Sequence, residues 1–277
     1  MEAVMNKTLM QIMIAAGMLA SAGAQAIVIN VNDGSLADWG VHHNGLSTDW
    51  VPTANSGIQA TIEDQKGDVR LDPGYGGQAY DAEALYAVIQ GNYLYIALAT
   101  GHNPNTENTP AGNSYGAGDF AIDFGKNGTY EMGINVKPIG SVTFGDAGGV
   151  YKNPTWALGL WNTAGAYDPY NPDTKNPTSL TAGDLIGSAD LHYTTTPQTG
   201  YGQWSNAPHY FYEMSVSLDL LTAAGWDNKA FNIHWTQNCA NDSIIVDPPA
   251  HVPEPGTLAL LPLGLLGLAA LRRRKAA

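Results

Sequence analysis

A single cysteine, Cys239, in 277 residues rules out an intramolecular disulfide, so nothing covalent staples this fold. Basic residues are scarce too: 12 Lys and Arg stand against 25 Asp and Glu, for a formal charge of −13. Five of those bases, Lys7 and Arg272 to Lys275, sit at the two ends, so the stretch between is more acidic still, about −16. Such a surface repels nucleic acid and anionic lipid and suits divalent cations or neutral glycans. Charged residues of either sign make up only 13%, too few for long solvated helices. The seven histidines come with no H-E-x-x-H motif and no cysteine partners, which removes the usual basis for a zinc site. No fixed-period repeat is present, which excludes a solenoid or propeller. Neither apolar run, Leu9–Ala20 or Thr257–Leu271, reaches the ~20 residues a spanning helix needs.

What is abundant is glycine, proline and tyrosine, 32, 16 and 14 residues, the composition of a mainly β chain rich in turns. Ala84–Ile89 and Tyr93–Thr100 flank Gln90-Gly91-Asn92 and predict one hairpin. Asp119–Phe124 and Thr129–Val136 flank Gly125-Lys126-Asn127-Gly128 and predict a second, with Asn-Gly supplying the positive φ angles. Strict alternation over Tyr210–Asp219 and Phe231–Thr236 predicts two half-buried strands, with a helical turn over Leu220–Gly225 between them. The stretch Asn162–Asp184 is polar and rich in Pro and Gly, and is expected to be a long binding loop or flap. The expected fold is an antiparallel β-sandwich, jelly-roll-like, with a signal helix before it and a short apolar helix after it.

The two ends read as addresses. Lys7, the apolar run and Ala24-Gln25-Ala26 have the layout of a secretory signal peptide, cut before Ile27, which implies an export translocon and signal peptidase as partners. At the other end, Thr257–Leu271 would reach about 22 Å as a helix, short of a ~30 Å hydrocarbon core. It is interrupted by Pro262 and stopped by Arg272, Arg273, Arg274 and Lys275. Transient rather than permanent anchoring is expected. Val252-Pro253-Glu254-Pro255-Gly256, the apolar run and the arginine block together resemble the PEP-CTERM protein-sorting signal. That resemblance implies recognition and cleavage by an exosortase in a Gram-negative bacterium that makes exopolysaccharide, with Pro253, Glu254 and Pro255 as the determinant. The division expected is residues 1–26 signal peptide, 27–246 sandwich body, 247–252 proline-rich linker and 253–277 sorting signal.

Within the body, Asp33–Trp39, Tyr80–Tyr86, Asn92–Ala97, Gly118–Asp123 and Tyr212–Val216 resemble strands of family 9 carbohydrate-binding modules and DOMON-like sandwiches. That likeness implies glycan or small-ligand binding, in some members beside calcium. Asp119 and Asp123, four apart on a strand and on one face, with Glu131 along the same hairpin, are candidate calcium ligands. The alternative is a solvated hairpin face. Asp33 and Asp38 either ligate a cation or end a turn. Trp161 and Trp204, placed in loops, are candidate stacking platforms for sugar rings, while most of the seven tryptophans are expected in the core. Gly112-Asn113-Ser114-Tyr115-Gly116 fits G-x-S-x-G but lacks the strand before and the helix after that a nucleophile elbow needs. The reading is an exported, non-catalytic surface or matrix protein that binds or organises extracellular polysaccharide. A secreted glycan hydrolase and a matrix protein without a specific ligand are the alternatives.

Overall fold

A computed structural model describes residues 28–54, 56–64, 77–136, 145–158, 177–240 and 242–248. Both terminal segments, and with them the signal-helix and apolar-helix expectations, lie outside the described residues.

Two antiparallel sheets carry the fold. In chain order the strands are β1 (Gln59–Ile62), β2 (Ala82–Gln90), β3 (Tyr93–Thr100), β4 (Phe120–Phe124), β5 (Met132–Ile134), β6 (Gly149–Leu158), β7 (Pro177–Ser188), β8 (Asp190–Tyr193), β9 (Tyr210–Ser217), β10 (Phe231–Thr236) and β11 (Ser243–Val246). The five-stranded sheet runs β1-β2-β3-β9-β8 and the six-stranded sheet β11-β10-β4-β5-β6-β7. Jelly-roll order would interleave strands from distant parts of the chain. Here β4 to β7 are neighbours in succession, a meander extended by the β10–β11 hairpin.

Both predicted hairpins form. Gln90 pairs with Tyr93, which leaves Gly91-Asn92 as a two-residue loop with Gly91 at φ +57°. In the second, Phe120 pairs with Ile134 and Ile122 with Met132, and the connecting turn takes positive φ at Gly125, Lys126 and Gly128 rather than at Asn127. Leu218–Ala223 forms a short helix α1, starting two residues earlier than expected. Its N-cap Ser217 accepts a hydrogen bond from the Asp219 amide (3.2 Å), and Gly225 at φ +112° follows its end.

Alternate residues of the strands fill the space between the sheets. Leu85 and Ala87, Leu94, Ile96 and Leu98, and Tyr212, Met214 and Val216 meet Phe120, Ile122, Phe231, Ile233 and Trp235 in one cluster. The other face of the five-stranded sheet is also apolar, with Ala84, Tyr86, Val88, Ala97, Ala99 and Phe211, and is roofed by Leu36, Trp39, Val41, Trp50 and Ile58 of the N-terminal segment. This second layer explains why β2 and β9 are buried on both faces despite their alternating sequence.

Part of the expected long loop is strand. Pro177–Ser188 is the edge strand β7, pairing β6 with several register shifts. Proline as first residue needs no ladder donor at an edge; Pro177 to Leu180 are buried, and Thr181 turns outward. Residues 162–176 of that stretch lie outside the described residues.

Candidate ligand cavity

The roof over the five-stranded sheet stops short of β8, and a cavity of about 420 Å³ opens between the loop Asn32–Gly34 and the segment Thr194–Gln198. Both walls are fixed by local hydrogen bonds. Asp33 Oδ1 accepts from the Ser35 amide (2.9 Å) in an Asx turn, Asp38 Oδ2 accepts from the Asn30 amide (2.7 Å), and Gly34 adopts φ +68°. Asp33 therefore closes a turn, and Asp38 ties the loop back to Asn30. Opposite, the Thr194 amide donates to Phe211 O (2.9 Å), the Phe211 amide returns a bond to Thr194 Oγ1 (3.0 Å), and Gln198 and His209 exchange two backbone bonds of 2.8 Å.

Phe211 and Glu213 line the cavity from β9, 1% and 2% exposed. Glu213 sits in the ladder between Ala97 of β3 and His192 of β8, and the small Ala97 leaves room beside it. Trp39 Nε1 donates to Glu213 Oε1 (3.0 Å), whereas Oε2 has no hydrogen-bond partner among the described residues. Burial, and then the negative charges of Asp38 and Asp33, push the Glu213 carboxyl up to about 8, against the pull of the Trp39 hydrogen bond. A neutral carboxylic acid at neutral pH can donate as well as accept. His192 at the rim is held by Asp190 (2.9 Å), and no Lys or Arg lines the cavity. Sequence reasoning placed Glu213 on the half-exposed side of a strand. Its burial depends on Trp39, 174 residues away, and only the glutamate's apolar neighbours hinted at it.

The structure does not assemble the three carboxylates named as calcium ligands. Asp119 is buried and ties two strand ends together, its Oδ1 accepting from the Val136 amide (2.8 Å) and its Oδ2 from the Leu180 amide (2.7 Å). Burial pushes it up to about 7 against those two bonds. Asp123 caps the hairpin turn, accepting from the Asn127 and Gly128 amides (3.0 and 2.7 Å), and Glu131 accepts from the Phe124 amide (2.7 Å). Neither is the solvated hairpin face what forms, since Asp119 and Asp123 are 5% and 2% exposed. Among the described residues no group of three or more His, Cys, Asp or Glu side chains is arranged to hold a metal ion.

Trp204 is 39% exposed but does not line the cavity, and Trp161 lies outside the described residues. Trp39, Trp50, Trp226 and Trp235 are core residues. Ser114 donates its hydroxyl to Glu107 O (2.7 Å) in a loop that follows a 3₁₀ turn, so no nucleophile elbow forms. Ala24, Ala26, Pro253, Glu254, Pro255 and Arg272 to Arg274 lie outside the described residues.

A second set of acids, invisible in sequence, gathers at a β-bulge. Ala82 pairs with Thr100 and Ala84 with Ala99, which leaves Glu83 as the extra residue, and its carbonyl accepts from the Glu63 and Asp64 amides. The fully buried Glu83 Oε1 stands 3.1 Å from His209 Nε2 and accepts from Gln78, while Asp242 Oδ2 accepts from the Ala82 amide (2.5 Å). Burial, then the negative charges of Glu83 and Asp242, push Asp81 up to about 10.

Fold and cavity together define a two-sheet antiparallel β protein with an acid-floored cleft on the outer face of one sheet. The PEP-CTERM protein-sorting motif matches residues 251–275. It marks the chain as an exported, exosortase-sorted protein. Compared with curated proteins the chain finds no match. No comparison supports the likeness of the body to family 9 carbohydrate-binding modules or DOMON-like sandwiches. Among the described residues no helix is long and apolar enough to cross a membrane.

Proposed function

We propose that this protein is delivered to the cell surface or extracellular matrix and there binds extracellular polysaccharide without catalysis, through the cavity above β8 and β9. The sorting motif at residues 251–275 supports delivery to the surface, and the polysaccharide follows from what the resemblance to that signal implies, a cell that makes exopolysaccharide. The cavity supports it. Its volume lies in the ~300–1,000 Å³ range of small-ligand clefts, and hydroxyls of Thr194, Thr195 and Thr196 with the amides of Asn32 and Gln198 offer the mixed donors and acceptors that sugar hydroxyls need. Co-sedimentation of the mature protein with the polysaccharide of its own cells tests it: wild type should pellet with the polymer and release when soluble fragments compete. A protein that stays in the supernatant at any polymer concentration overturns the reading.

One observation favours a second reading. Two carboxyl groups, Asp33 and Glu213, line the same cavity, and the second is pushed up to about 8, as the general acid of a glycosidase is. New reducing ends released from the polysaccharide by wild type, and not by Glu213→Gln, would establish hydrolysis in place of simple binding.

A further inference from the structure

The cavity's chemistry says more about its ligand than size alone. Every ionisable side chain on its walls is an acid, a phenol or an imidazole: Asp33, Glu213, Tyr193 and His192, the last already engaged by Asp190, with Asp38 close enough to act on Glu213. A carboxylate, phosphate or sulfate on a ligand would meet no cation there. Glu213 is desolvated, one oxygen is occupied by Trp39, and the other has no partner among the described residues. A buried carboxyl in that state is stabilised most by an arriving positive charge able to donate to the free oxygen. The neighbouring acids Asp33 and Asp38 add to the same field.

We propose that this cavity takes a primary ammonium group carried on a sugar ring, that is, an unacetylated amino-sugar unit of the polysaccharide, with Glu213 as its counter-ion. The ammonium donates to Glu213 Oε2, Glu213 gives up its proton to solvent on binding, and Asp33 at the rim contributes a second negative charge. The threonine hydroxyls and Gln198 meet the ring hydroxyls. This assignment rests on the polysaccharide-binding reading above and narrows it.

Calorimetric titration of the mature protein with four matched probes tests the assignment: a glucosamine tetramer, an N-acetylglucosamine tetramer, a glucose tetramer and a trilysine peptide. The glucosamine tetramer should bind at least tenfold more tightly than either uncharged tetramer and tenfold more tightly than trilysine. Glu213→Gln, which keeps an acceptor for Trp39, should erase the preference, and Asp33→Asn should weaken it several-fold. Equal or tighter binding of an uncharged tetramer overturns the ammonium assignment while leaving glycan binding standing. Trilysine binding as well as the amino sugar shows that the ligand is a cation not borne by a sugar. A preference that survives Glu213→Gln shows diffuse attraction to the acidic surface and also overturns it. Failure of every tetramer together with failure of the cell's own polysaccharide removes both readings at once.

Discussion

Replacing Asp119 by asparagine separates a structural staple from a metal ligand. The carboxylate joins the end of β5 to β7 by accepting from the Val136 and Leu180 amides, at 2.8 and 2.7 Å, in a site that is 5% exposed. Asparagine has one acceptor oxygen, so one of these two amides faces an –NH2 instead and loses its partner. Losing a charge-assisted bond and leaving a buried N–H unsatisfied costs about 2–4 kcal/mol, partly offset because the desolvated charge is removed as well. For a domain above 150 residues that is a fall in melting temperature of roughly 4–16 °C. Asp119→Ala removes both acceptors and should cost more. The assay is thermal melting followed by far-UV circular dichroism, each variant with calcium and with chelator. The same loss in both conditions is expected, because the two oxygens are occupied by backbone donors. A melting temperature within 1 °C of wild type would refute the staple. A loss seen only with calcium present would restore the metal role.

Asp123→Ala removes the acceptor for the Asn127 and Gly128 amides and should cost about 1–2 kcal/mol, with exchange of those two amides speeding up most in hydrogen-exchange measurements. Glu213 is held above its ordinary value of 4.5, up to about 8, so the fold retains a proton the unfolded chain releases; its contribution is complete below about pH 4.5 and is lost as pH rises toward 8. Melting temperature should therefore fall from pH 5 to pH 8 more steeply in wild type than in Glu213→Gln. Three pH units at ~1.36 kcal/mol each set a ceiling of about 4 kcal/mol, reduced to about 1–3 by water in the open cavity, and parallel curves for the two proteins would contradict it. His234, buried and pushed down to about 3, acts in the opposite sense by opposing stability as pH falls below 6.5, so the comparison is made at matched pH. Replacing Pro253-Glu254-Pro255 with alanines should leave the chain uncut at the inner membrane with the melting temperature of the body unchanged; normal processing of that variant would remove the motif's role.

Local chemistry made much of the fold legible and little of the cavity. The Gly91-Asn92 hairpin, the 125–128 turn and the Ser217-capped helix are set by residues within a few positions of one another, and sequence carries that kind of information well. Edge strand β7 was not legible because Pro177 and Gly183 read as loop residues and its pairing with β6 is broken by register shifts. The second apolar layer was hidden because Leu36, Trp39 and Trp50 come from an irregular segment with no period to read. Asp119 and Asp123 looked like metal ligands because their spacing puts them on one face, yet spacing does not reveal which backbone amides will reach them first. Glu213 became visible as a site residue only once Trp39 was seen to hold it.

The most direct test of the account is the intact mass of the protein recovered from the surface of its own cells, with and without a functional exosortase. With exosortase present the chain should begin at or near Ile27 and lack Arg272 to Lys275, and without it a longer, tail-bearing form should remain in the inner membrane. A chain that keeps its arginine tail at the surface of exosortase-positive cells would contradict it.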